Sequence, residues 1–552
     1  MSELAIPVHH PDKPPARGRR LSPLRVALAL FIVVILTAGA YTGYQVWNSN
    51  RAVASYDPWF AGYVDVTSTP SYAFENPSIA SQKNVVLSFV VAATDDDCAP
   101  SWGTFYSLDS AADGLDLDRR IARLTTLGGA ATISFGGAIN NELATVCTDP
   151  DELVAAYASV VDRYKSSTID LDIEGDDLTN TAAGDRRALA IKTLQDKRTS
   201  DGAKLKVWLT LPVSPTGLTA DGTTAVAQML AAGVDLAGVN AMTMDFGGSK
   251  AASDSMSVAS IAALNATHDQ LATLYTTAKQ PLTSAELWSR IGATPMIGQN
   301  DVPGEIFDLK DATALNTFAQ QKQLGRMSMW SMNRDLACGP NFVAVGTVSN
   351  SCSGVAQGGT FFSDALSTRF STTTPTPVMP LATTIPTKGA APAESQIVDN
   401  PITSPYVVWA PTTVFQKDTK VVWHGNVFQA KWWTRGELPD DPAALGTTTP
   451  WVLIGPVLPT DKPRVQIILP VGTYPEWDPT KIYGENDRIM LGKVPYENQW
   501  WSQGDNPEAS LVSPDSGPWR LLTSDEVTAV KDGSYARPTA TPTPTPAPAS
   551  AG

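Results

Sequence analysis

Asp170, Asp172 and Glu174 occupy every second position of the segment Ile169–Gly175, with Ile169, Leu171 and Ile173 between them. Side chains alternate across an extended strand, so the three carboxyls share one face, about 7 Å between successive members. Grouping three acids is costly unless their face lines a polar cavity. Neighbouring carboxyls push each other's pKa values apart, so one can keep a proton near neutral pH while another is ionised. General acid–base chemistry needs that arrangement. The plain alternatives are a strand with one wet face or a cation site built of acids.

Elements able to hold such an array are legible on both sides of it. Short apolar runs at 60–66, 85–91, 131–135, 168–174, 205–212, 236–244, 294–297 and 327–332 read as strands. Helical patterns fill most of the gaps, among them Asp151–Tyr164 behind an Asp149-Pro150 start, and Asp311–Leu324. Eight strand–helix units in about 300 residues predict an α/β fold of the (β/α)₈ barrel type, with chemistry at the C-terminal ends of the strands. Glu174 ends its strand there.

Composition narrows the partners. The chain has 552 residues and a net charge of −15, which argues against nucleic acid. It carries four His, two of them (His9 and His10) in a Pro-rich tail, and no His/Cys spacing suited to zinc; neither metal nor cofactor is expected. A monomer is expected. Lys13, Arg17, Arg19, Arg20 and Arg25 precede an uncharged segment, 26–48, that is long enough to span a bilayer with its N-terminus inside. A cleaved signal peptide with Ala38-Gly39-Ala40 as its processing site is the rival reading; both export the chain. Four Cys fit an exported setting, and of the three possible pairings Cys338–Cys352 with Cys98–Cys147 is expected, because Cys338 and Cys352 are close in sequence after the last strand.

The expected order is a basic tail (1–25), the apolar segment (26–48), the barrel (55–366), a Thr/Pro-rich linker (367–400), two small modules (401–457 and 470–524) and a Pro/Thr-rich tail (537–552). The modules are a duplication. An offset of 68 residues relates Trp409 to Trp477, Phe428 to Tyr496, Trp432-Trp433 to Trp500-Trp501 and Trp451 to Trp519. Their Val, Ile, Tyr and Trp content predicts all-β folds. If each Trp pair lies in a strand, one ring builds the core and its neighbour is exposed, free to stack on a sugar face.

With these motifs in view, the barrel resembles glycoside hydrolase family 18, the chitinases and endo-β-N-acetylglucosaminidases, over roughly Trp59 to Leu366. Asp170, Asp172 and Glu174 match the last three acids of the family's DGxDxDxE motif, and Ser134-Phe135-Gly136-Gly137 its SxGG motif. Val239–Asp245 looks like the sixth-strand motif, and Trp330 like the eighth-strand Trp that floors the sugar site. MTMDFG and TPMIGQNDV are similar to a branch known from an archaeal chitinase. Ser167 and Thr168 depart from the motif's opening Asp-Gly, and Met244 stands where many members carry the Tyr that holds the acetamido group. Asp245, Gln299 and Asp301 are candidates for that task, and Tyr63 joins the candidate substrate contacts. The modules are similar to carbohydrate-binding families 5 and 12, whose signature appears as Ala430-Lys431-Trp432-Trp433; Trp409, Trp432, Trp433, Trp477, Trp500 and Trp501 are their candidate chitin contacts.

The resemblance implies an exported chitinase. Glu174 would protonate the glycosidic oxygen, the substrate's own N-acetyl oxygen would attack the anomeric carbon, and Asp172, sharing a proton with Asp170, would orient the acetamido group. A cell-wall or glycoprotein hexosaminidase is the alternative within the class. A silent chitin-binding lectin is the alternative outside it, disfavoured because Glu174 is present.

Overall fold

The computed structural model describes residues 57–339, 348–371, 399–400, 403–411, 413–440, 449–463, 468–507 and 517–534, with the isolated positions 22, 32, 37 and 39. The apolar segment 26–48, the linker and both tails fall almost wholly outside these residues. No helix among the described residues is long and apolar enough to cross a membrane.

Eight strands form the barrel: β1 (Trp59–Phe60 continuing as Gly62–Asp65), β2 (Asn84–Ala92), β3 (Ala130–Gly136), β4 (Thr168–Asp172), β5 (Lys206–Ser214), β6 (Leu236–Met242), β7 (Ile291–Thr294) and β8 (Arg326–Met327). Each pairs with the next in parallel. Trp59 and Phe60 pair in parallel with Arg326 and Met327 to close the ring. Helices cover the outer face, so β2 is apolar almost throughout, and both β2 and β4 are nearly fully buried. The expected barrel is present, with strand ends displaced by a few residues. The largest departures are in β7 and β8, which begin earlier than expected and run for four and two residues.

The principal helices are α1 (Leu117–Thr126), α2 (Pro150–Tyr164), α3 (Thr181–Ser200), α4 (Ala220–Ala231), α5 (Met256–Thr277), α6 (Leu309–Lys322) and α7 (Phe362–Ser367). Asp149 starts α2 as read from the sequence, accepting from the backbone N–H groups of Asp151 and Glu152. Asp308, with Asp311 three residues on, forms a reciprocal cap that starts α6 earlier than expected. One unit departs from the eightfold pattern. Between β1 and β2 the described chain has only the 3₁₀ turn Ala80–Gln82 in place of an α-helix.

Both disulfides form as expected, Cys98–Cys147 and Cys338–Cys352. The first ties the loop after β2 to the loop after β3, and the second lies in the segment after β8.

The duplication is visible strand by strand. Val414–Phe415, Lys420–Trp423, Asn426–Ala430, Thr434–Arg435 and Trp451–Pro456 of the first module recur at Ile482–Tyr483, Arg488–Leu491, Val494–Asn498, Ser502–Gln503 and Trp519–Leu521, starting 68 residues later in every case. Pairing recurs too. The second strand of each set runs antiparallel to the third, the third to the fifth, and the first to the fourth. A helix, Ser524–Lys531, follows the last strand of the second module.

The tryptophans sort differently from expectation. Trp432 and Trp500 lie in bends and Trp433 and Trp501 follow them, all four outside any strand, so strand alternation does not apply to them. All four are exposed, at 45, 55, 49 and 65%. Trp451 and Trp519 fill the cores, each donating its indole N–H to a backbone carbonyl, of Glu437 and Asp505 respectively. Trp409 is buried in the first core, which removes it from the candidate contact surface, whereas Trp477 packs against the second core with part of its surface exposed.

The first module is seated on the barrel. Arg119 of α1, nearly fully buried, donates to both carboxylate oxygens of Asp461, at 2.9 and 2.8 Å, and to the Pro456 carbonyl. Asp116 accepts from Tyr406 and pairs with Lys420 as well as with Arg119. Asn76, on the segment that replaces the missing helix, donates to the Leu453 carbonyl. A Cβ at Gly455 would lie 2.8 Å from the Arg119 carbonyl, so the two backbones meet closely there. Losing one partner of a buried pair leaves the other charge uncompensated, at a cost of about 3 kcal/mol. Arg119→Met should therefore split module 1 from the barrel as a separate, earlier calorimetric transition; an unchanged unfolding profile would mean the contact does not couple them.

Candidate active site

Asp170 lies at the centre of β4, fully buried, facing the barrel axis. Its Oδ2 accepts from the Tyr63 hydroxyl (2.7 Å) and from Ser134 Oγ (2.8 Å). Its Oδ1 accepts from Thr210 Oγ1 (2.7 Å) and from Arg326 Nη1 (2.5 Å). Asn240 extends the network by donating to Thr210 and Thr294. Strands β1, β3, β4, β5, β6, β7 and β8 thus each contribute one polar side chain to a buried polar plug inside an otherwise apolar barrel.

Asp172 closes β4 and is also buried, and its Oδ1 has no hydrogen-bond partner among the described atoms. Burial first, then the charges of Glu174 and Asp170, push its pKa well above the ordinary value; Arg326 opposes them. Glu174 lies two residues on, half-buried and still extended (φ −132°, ψ 169°), at the N-terminus of the short helix Gly175–Thr179. The extended backbone preserves the alternation beyond the last ladder bond, so the three carboxyls form a row from the core towards the rim. Burial, then the charge of Asp245, lifts Glu174 to about 7. An acid with that value holds its proton at neutral pH and can release it, as a general acid must.

The backbone around the row is shaped by the SxGG motif. Gly136 has φ +98°, and a Cβ there would stand 2.1 Å from the Asp172 carbonyl. Gly137 donates its N–H to that carbonyl. Only glycine allows β3 to lie so close to the acid strand. Glu142, on the loop after β3, is fully buried; it accepts from Arg187 (2.8 Å) and from the Tyr157 hydroxyl, and its N–H donates to Asp177 of the Gly175–Thr179 helix. These bonds clamp the loop after β3 to the turn that carries Glu174.

The remaining sequence candidates divide. Trp330 is half-buried at the strand ends, stacked on Phe89 (5.6 Å, 19°) and 6.0 Å from Tyr63, which suits it to flooring a sugar. Tyr63 is 1% exposed and its hydroxyl is committed to Asp170, so it supports the array from below and does not face substrate. Asp245 lies just beyond β6 in a left-handed conformation (φ +48°), its N–H donating to Asn300 and its Oδ1 accepting from the Val302 N–H. Gln299 and Asp301 belong to the loop it holds; the Gln299 carbonyl accepts from Arg334, and Asp301 is exposed. Met244 is half-buried beside Asp245.

Thr210, Asn240, Thr294 and Arg326 did not figure among the sequence candidates. Their signal was present, since each is a polar residue inside or at one end of a largely apolar strand. A lone Thr or Asn in such a run is weak evidence until the strand's inward face is known.

No family model matches the chain. It is 38% identical over 293 residues to a probable bifunctional chitinase/lysozyme of Escherichia coli (strain K12), a match covering 51% of this chain and 31% of that protein. It is 37% identical over 286 residues to endochitinase 11 of Metarhizium anisopliae, covering 50% of this chain and 52% of that one. The chain therefore spans about a third to a half of the length of these relatives. The crystal structure of the catalytic domain of a hyperthermophilic chitinase from Pyrococcus furiosus is similar at 28% identity, with a TM-score of 0.49, covering 57% of this chain and 96% of that chain. Over about half of its length the chain is thus similar in sequence to proteins named as chitinases.

A carboxyl-carbon NMR titration should find Glu174 with a midpoint near 7. Because the Asp245 charge raises it, Asp245→Asn should lower that midpoint by about one unit; an unmoved value would rule out Asp245 as the residue that tunes the acid.

Proposed function

We propose that this chain is an exported chitinase that hydrolyses β-1,4 linkages between N-acetylglucosamine units with retention of configuration. The observation that carries this reading is Glu174, an acid lifted to about 7 at the open end of a row whose other members are buried. The similarity to proteins named as chitinases supports the choice of substrate. Glu174 donates its proton to the glycosidic oxygen. The substrate's acetamido oxygen attacks the anomeric carbon, forming a cyclic oxazolinium ion that water opens after deprotonation by Glu174. Asp172 holds the acetamido N–H and faces the positive ion. Trp330 floors the reacting sugar, and Asp245, which already acts on Glu174, is the candidate to take over the acetamido contact of the Tyr that Met244 replaces.

The exposed pairs Trp432-Trp433 and Trp500-Trp501 offer flat aromatic faces to the sugar rings of insoluble chitin. Two disulfides and the absence of a free cysteine among the described residues support an oxidising compartment. Segment 26–48 would anchor the chain with its bulk outside the cell membrane, or be cleaved on secretion. A second reading, cleavage of peptidoglycan, is favoured by one observation, the word lysozyme in the name of the Escherichia coli relative.

Glu174→Gln keeps shape and polarity but removes the transferable proton, so turnover of chitin oligomers should fall about 10²–10⁴-fold with binding retained. Near-normal turnover would exclude Glu174 as the acid. Product analysis on chitin and peptidoglycan side by side separates the two substrates, and a cyclic thiazoline analogue should inhibit strongly if the acetamido group is the nucleophile.

Replacing all four exposed tryptophans by Ala should abolish retention on insoluble chitin, whereas replacing one pair should weaken it far less, because two linked modules bind with high effective concentration. Undiminished retention of the fourfold variant would place the binding face elsewhere.

A further inference from the structure

The two modules present the same pair of exposed rings in different electrostatic settings. In the first, Lys431 precedes the pair, and its Nζ lies 5.1 Å from the centre of the Trp432 ring. Arg435 follows on the strand Thr434–Arg435, which pairs with Val414–Phe415, two residues before Lys417. The turn at Lys417 is fixed beside the rings, because the Asp418 N–H donates to the Ala430 carbonyl and the Lys431 N–H to the Pro450 carbonyl, both at 2.7 Å. Lys417 and Arg435 are exposed and Lys431 is half-buried. Basic side chains thus flank this aromatic platform on both sides.

Module 2 repeats the geometry. The Asn486 N–H donates to the Asn498 carbonyl (2.7 Å), the Gln499 N–H to the Pro518 carbonyl (2.6 Å), and Ile482–Tyr483 pairs with Ser502–Gln503. Equal backbone positions carry unlike side chains. At the offset of 68 residues Lys417 becomes Glu485, Lys431 becomes Gln499 and Arg435 becomes Gln503, while the acid Glu437 is kept as Asp505. Two differences run the other way. Neutral Asn486 stands for Asp418, and Lys481 for Thr413, although Lys481 acts on Asp478, an acid that module 1 lacks at Ala410. The rings are retained and the positive charge around them is not.

Stacking on a ring does not distinguish an acetylated sugar from a deacetylated one, since both offer the same apolar C–H face. Charge does. An N-acetylglucosamine unit is neutral, whereas a unit that has lost its acetyl group carries an ammonium at slightly acid pH. We propose that the two modules read the charge of the polymer: module 2 accepts stretches with free amines, and module 1 rejects them and holds the fully acetylated chain. Rejection of one ligand by like charge is a direct route to specificity. The inference rests on the reading of the Trp pairs as sugar platforms. In water at low salt, each pair of unit charges about 8 Å apart changes affinity about twofold, so the exchanges together should give about 5-fold.

Full-length variants isolate each platform. Trp500→Ala/Trp501→Ala leaves module 1, Trp432→Ala/Trp433→Ala leaves module 2, and the fourfold variant gives the background from the barrel. Retention is measured on insoluble chitin and on the same chitin partly deacetylated, at slightly acid pH and low salt. Deacetylation should weaken the variant that keeps module 1 about 5-fold relative to the one that keeps module 2, and added salt should shrink the difference. Introducing Lys417→Glu, Lys431→Gln and Arg435→Gln together into the module 1 variant should give it the response of module 2. Equal responses of the two platforms, or a triple exchange without effect, would overturn the proposal.

Retention on the fully acetylated polymer separates that result from failure of the platform reading. If the fourfold variant is held there as firmly as the unaltered chain, the pairs are not sugar platforms and the proposal falls with that reading. If the pairs hold it and deacetylation affects both alike, the charge selection alone is wrong.

Discussion

A carboxylate inside a parallel barrel has no water to solvate it, and the rest of the site depends on how that cost is met. Four donors from four different strands converge on Asp170, so the charge sits among partners that cannot move without moving the barrel. The row then grades outward. Asp170 is saturated, Asp172 is buried with one oxygen unpartnered, and Glu174 is half-open to the rim. Asp172 and Glu174, of near-identical intrinsic acidity, are both raised, the first by burial and the charges of its neighbours in the row, the second by burial and Asp245.

The acid row was legible because period-two alternation is a strong signal and its apolar members, Ile169, Leu171 and Ile173, pack the outer side of the strand as alternation requires. The barrel was legible from the recurrence of apolar runs, and the disulfides from sequence proximity. What sequence could not supply was convergence. Tyr63 and Arg326 are 263 residues apart and meet only when β1 closes against β8. Short strands were also misplaced: β8 has two ladder residues, and Trp330 joins the sheet only through an isolated bridge to Met296. The tryptophan pairs were misread for a definite reason. Alternation was applied to residues that turn out to lie outside any strand, where adjacent side chains need not oppose one another.

The modules show the opposite balance. Their repeat was plain in the sequence because aromatic residues were kept in register, and the structure assigns separate tasks to them. Trp451 and Trp519, with an indole N–H satisfied by a carbonyl, hold each small core together. The adjacent pairs, with no place in the core, remain exposed. Each small module thus carries an exposed aromatic pair at the same position of its repeat.

The barrel lacks an α-helix between β1 and β2, and the first module contacts the segment that stands in its place through Asn76. Together with the buried Arg119–Asp461 pair, this means that the unit of sequence and the unit of folding do not coincide. Composition draws a border at the Thr/Pro-rich linker, but the closing contacts of the barrel's flank are made by residues beyond it, as far as Asp461. A barrel isolated at that border would expose Arg119 without Asp461, leaving it only the more distant Asp116. In evolutionary terms, the first module cannot be exchanged freely for another small domain, because part of its surface belongs to the barrel.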